Sequence, residues 1–97
     1  MSFTWLNKQG VKSIHGFIVQ CTGRFTSEYQ EGPRKITINT DAGKLPNGKY
    51  CDIIASDAFS KWDDGIPISK EKQNEIFQNY KDAMEFQGIG VIVDQST

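Results

Sequence analysis

SKEKQNEIFQNYKDAMEFQG, residues 69–88, is the one stretch of this sequence long and periodic enough to specify a helix. Ile76, Phe77, Tyr80, Ala83, Met84 and Gln87 recur at the spacing of one helical face, and only the last is polar. Lys72, Glu75, Asn79, Lys81, Asp82 and Glu85 are left for the wet side. Ser69 is placed to cap the first turn, because its hydroxyl can accept from an otherwise unpaired amide. Gly88 is placed to end the helix in the left-handed conformation that only glycine enters without a Cβ penalty. Pro67 lies before the cap, outside the helix interior.

Upstream of this helix the pattern is strand and turn. Phe3-Thr4-Trp5-Leu6 has β character, and Asn7-Lys8-Gln9-Gly10 reads as a turn. Val11 to Cys21 reads as one strand with Phe17, Val19 and Cys21 on its inner face, ended by Gly23. A half-exposed strand is expected from Arg24 to Gln30, with Phe25, Ser27 and Tyr29 on one face. Glu31-Gly32-Pro33-Arg34 is a hairpin connection, and Ile36 and Ile38 alternate cleanly in the next strand. Asp41 to Gly48 reads as a loop ending in the hairpin pair Asn47-Gly48. Lys49 to Ala55 is a further strand, with Ile53 and Ile54 its buried pair.

Periodicity vanishes from Ser56 to Ile68, a connection at the upper edge of ordinary loop lengths. Phe59, Trp62, Ile66 and Ile68 are the side chains expected to pack it down. After the helix, Ile89 to Val93 is a β-branched strand. The implied fold class is α+β: one domain over residues 1–97, an antiparallel β-meander packed by one long C-terminal helix, with a short last strand beside the sheet.

Composition limits what such a domain does. The formal net charge is −1 and the pI about 5.7, without the basic field of a nucleic-acid binder. No apolar run approaches a membrane span, and the first residues lack the charged start and apolar block of a signal peptide. A cytoplasmic, reducing setting is expected, with Cys21 and Cys51 as buried thiols. Two cysteines and one histidine fall short of a structural zinc site unless carboxylates join them. No glycine-rich phosphate cradle is present, and Trp62-Asp63-Asp64-Gly65 lacks the alternating oxygen ligands of a loop cation site, so no metal or cofactor is expected. His15, the only histidine, has no nucleophile at a recognisable spacing.

Two surfaces suit recognition of another protein. Trp62-Asp63-Asp64, with Asp57 upstream, sets an aromatic beside carboxylates, and Trp is enriched at binding hot spots. Glu28 and Glu31 flank Tyr29, an arrangement suited to a basic partner.

The order of elements from Ser13 onward also resembles a known family. A Gly-Phe strand precedes Tyr29-Gln30-Glu31-Gly32, then Ile36-Thr37-Ile38, then a loop with Trp62 leading into Pro67-Ile68-Ser69 and the helix ending at Phe86-Gln87-Gly88. This resembles the Immunity protein 74 family of bacterial polymorphic toxin systems. The resemblance implies a protein without catalysis or cofactor that binds and neutralises a cognate toxin domain; a stoichiometric complex formed by a monomer or weak dimer is expected. Glu28, Glu31, Asp57, Trp62, Asp63 and Asp64 are the contact residues expected from the residue chemistry. Two other readings stand beside it: a small enzyme or ligand-binding domain using His15 with an acid such as Asp52 or Asp94, and a homodimeric adaptor built by sheet-edge pairing.

Overall fold

A computed structural model describes residues 3–23 and 25–94, the last of them for its backbone only. The element order is β1 (Phe3–Asn7), β2 (Gly10–Ser13), β3 (Ile18–Gly23), β4 (Thr26–Glu31), β5 (Arg34–Lys44), β6 (Tyr50–Ala55), α1 (Lys70–Phe86) and β7 (Gly90–Asp94). All seven strands form one sheet in sequence order. Every neighbouring pair is antiparallel except β6 and β7, which run parallel because α1 carries the chain back between them. The α+β meander with one helix and a final short strand is therefore the fold observed.

The helix ends follow the capping chemistry. Ser69 Oγ accepts from Lys72 N at 3.3 Å, and the Gln73 side chain donates to Ile68 O at 2.8 Å. At the other end Gly88 has φ +86°, Gly88 N reaches Glu85 O and Ile89 N reaches Met84 O. This paired closure satisfies the last carbonyls and turns the chain toward β7.

Core and open face separate by alternation. Val11, Val19, Tyr29 and Ile36 are cross-strand neighbours in one row, all at most 2% exposed. Ile76, Tyr80, Ala83 and Met84 of α1 close over this side, each at 0%. Lys12, Ile18, Glu28, Gln30, Lys35 and Thr37 alternate onto the other face, which no described helix covers.

Several expectations need correction. Val11 to Cys21 is two strands, not one. Ser13 N donates to Phe17 O, Ser13 Oγ accepts from His15 N at 2.9 Å, and Gly16 has φ +100°. The serine hydroxyl and the left-handed glycine together reverse the chain there. Asp41 to Gly48 is not all loop, since β5 continues to Lys44. Pairing with β6 overrides the weak strand preference of Asp41 and Gly43. Glycine is needed at 43, where a Cβ would lie 2.9 Å from Ile53 Cδ1 and 3.2 Å from Cys51 Sγ. The remaining Asn47-Gly48 turn stands as read, with Asn47 Oδ1 accepting from Lys49 N at 3.0 Å. Ile66 is 43% exposed and does not pack the loop, whereas Phe59, Trp62 and Ile68 do. Ile54 is 1% exposed while Ile53, on the outer face, is only half-buried. The fourth strand starts at Thr26, and Arg24 lies outside the described residues. Cys51 is buried, Cys21 half-buried, and neither is in a disulfide.

Candidate partner-binding surface

The long strand β5 divides its pairing between two neighbours. Residues 34–39 pair with β4 and residues 40–44 with β6. The first half thus has one side that no strand covers. The loop after β6 fills it. Asp63 N donates to Lys35 O at 2.9 Å, Thr37 N donates to Asp63 Oδ1 at 2.8 Å, and Thr37 Oγ1 donates to Asp63 Oδ2 at 2.7 Å. One aspartate therefore does at this edge what a short strand would do.

The loop itself is tightly folded. Trp62 N donates to Ile66 O and Gly65 N to Trp62 O, with Gly65 at φ +90°. Asp64 Oδ1 accepts from Ile66 N at 3.1 Å, and Ile68 N donates to Ser60 O at 2.9 Å. The Trp62 ring is 7% exposed and part of the core, with the Arg34 guanidinium 5.8 Å from its centre. Trp62 holds the loop in place and offers little ring surface to a partner.

The six expected contact residues fall into three groups. Asp57, Asp63 and Asp64 are exposed on the loop, and Asp57 and Asp63 line the same recess of about 310 Å³ with Thr37 and Lys61. Glu28 lies across from Thr37 on the open face, 18% exposed, with Lys35 Nζ 3.8 Å away. These four carboxylates form one strip alongside β5, interrupted by Lys35 and Lys61. Trp62 lies beneath the strip. Glu31 belongs elsewhere: it points to the helix side, accepts from Tyr29 OH at 2.8 Å and pairs with Lys72 Nζ at 2.8 Å.

Around Glu31 a second polar cluster joins the β4–β5 hairpin to α1. Lys72 also meets Glu75, and Asn79 Nδ2 donates to Tyr29 OH at 3.1 Å. Burial pushes the Tyr29 hydroxyl well above its ordinary pKa, as the neighbouring Glu31 also does, against the opposing bond from Asn79. Burial disfavours the Lys72 ammonium, but the two glutamates outweigh it and its pKa rises. His15 is exposed in the β2–β3 turn and lines a recess of about 340 Å³ with Phe17, Glu31, Glu75 and Asn79. It shares that recess with the two glutamates, whose carboxylates both pair with Lys72. Asp52, the acid expected beside it, lies instead near Cys21 and Tyr80, where burial raises its own pKa. The side chain of Asp94 lies outside the described residues.

Thr37 and Lys72 organise the two clusters, and neither is distinguished in the sequence, because each acts through a residue far along the chain. Among the described residues no group of three or more His, Cys, Asp or Glu side chains is gathered to hold a metal. No described helix is long and apolar enough to cross a membrane. Comparison with protein-family models, curated proteins and solved structures yields no match to this chain.

Proposed function

We propose that the chain is an immunity protein of the polymorphic-toxin type, which neutralises a basic toxin domain in the cytoplasm by stoichiometric binding. The observation that supports this reading is the carboxylate strip of Glu28, Asp57, Asp63 and Asp64 beside β5. Its backbone is fixed by the Asp63–Thr37 and Trp62–Ile66 bonds before any partner arrives. A preformed acidic surface loses little conformational entropy on docking and attracts a basic partner at long range. The reading requires no cofactor.

The test is titration calorimetry and growth rescue with the toxin domain encoded in the neighbouring reading frame. Asp57→Lys with Asp64→Lys should weaken binding at least about tenfold, measured where the protein is fully folded, with a small fall in melting temperature because Asp64 also gives up its exposed bond from Ile66 N. Asp63→Ala should lower both stability and affinity, since its carboxylate also closes the β5 edge. Full affinity in the double lysine variant would remove the strip from the interface.

A further inference from the structure

The first strand of the sheet is open on its outer side. β1 pairs with β2, and no described strand lies beyond it. Its sequence, FTWLN, holds no charge and no proline, the residues that usually blunt such an edge. Phe3 and Trp5 both pack on Phe86, with ring centres 5.3 and 5.7 Å apart. Trp5 is nevertheless 50% exposed and Phe86 42%, so this aromatic strip runs to the edge and stops in water. The opposite edge strand, β7, has Ile92 as its one largely exposed apolar side chain among those described.

We propose that the β1 edge is a self-association surface, where two copies of this chain pair β1 against β1 in antiparallel fashion about a two-fold axis at Thr4. An open edge presents amide donors and carbonyl acceptors along its length, and an extended strand satisfies both at once. A second copy supplies such a strand with a matching surface. The regular part of β1 is Phe3 to Trp5, because the register shifts between Trp5 and Asn7. A register centred on Thr4 uses that part fully and is self-complementary, as a two-fold contact demands. It sets Phe3 opposite Trp5 of the other copy on the helix side, and Thr4 opposite Thr4 on the open side. Aromatic and threonine pairs are both favourable across strands. With Phe86 flanking each end, two interrupted aromatic strips become one. A net charge of −1 leaves little repulsion between copies. Three paired residues a side make a contact smaller than a standard interface, so the dimer is weak, with Kd on the order of 10⁻⁴ M.

Sedimentation equilibrium of the intact chain, from about 10 μM to about 1 mM, reads this directly. The mean mass should rise toward twice the monomer mass across that range. Amide hydrogen exchange of Phe3 to Trp5 should slow at the high end, with β7 unchanged. Thr4→Glu sets like charges against each other at the axis but faces Lys12 within its own sheet, so at this exposed position it should fold normally yet stay monomeric. A monomer mass at the highest concentration overturns the proposal. So does a Thr4→Glu protein that still dimerises, or protection that appears at β7 in place of β1.

Discussion

Two buried tyrosines show how differently one hydroxyl group serves the fold. Tyr29 and Tyr80 are both 0% exposed. The Tyr29 hydroxyl donates to Glu31 and accepts from Asn79, tying the sheet to α1. The Tyr80 hydroxyl is buried and, among the described residues, finds no partner in good hydrogen-bond geometry; Ser27 lies near enough for no more than a poorly aligned bond. Removing a satisfied buried hydroxyl costs stability, whereas removing an unsatisfied one recovers its lost hydration. Tyr29→Phe should therefore destabilise by about 1 kcal/mol and lower the melting temperature by roughly 4–8 °C. Tyr80→Phe should leave stability unchanged or raise it, by up to about 1 kcal/mol. Parallel thermal melts decide the matter, and a Tyr80→Phe protein less stable than Tyr29→Phe would contradict it.

At the scale of elements, what was legible was what local chemistry determines. Ser69 and Gly88 mark the helix ends because capping needs only neighbouring residues. The Gly32-Pro33 turn follows equally from its own residues, with Gly32 at φ +62° and Glu31 paired to Arg34. The long β5 was not legible, because Asp41 and Gly43 are poor strand formers that extend only when β6 lies beside them. The break at residues 14–17 was hidden for the opposite reason: Ile14 and Phe17 continue an apolar run, while the Ser13 hydroxyl and Gly16 reverse the chain. Of the candidate site, the carboxylates were legible as residues, but the separation of Glu31 from Glu28 follows from strand alternation. The helix-ending glycine gives a measurable consequence. Gly88→Ala forces a Cβ into a left-handed residue and should cost about 1–2 kcal/mol, read as a lower urea midpoint with unchanged slope.

Taken as a whole molecule, the domain keeps its two proposed surfaces apart. The carboxylate strip adjoins β5, while β1 is the first strand of the seven. Strands β2 and β3 separate β1 from Glu28 on β4, the nearest part of the strip, so neither surface need obstruct the other. Trp5→Lys should thus abolish self-association and leave toxin affinity within about twofold, because changes at distant sites add independently. Loss of both in one folded variant would mean that the surfaces overlap or communicate.

The sequential strand order also bears on how the molecule is made. Each strand from β1 to β6 neighbours the one synthesised just before it, so the ribbon can zip up as it leaves the ribosome. Its last seam cannot: β7 lies parallel to β6 and arrives only after α1 has emerged. Until then Tyr29, Ile36 and Ile54 lack the helix that shields them, and a nascent chain halted before Lys70 should be an easy substrate for proteases. The emergence of α1 and β7 is therefore the step at which this domain passes from a sticky half-built sheet to a sealed one.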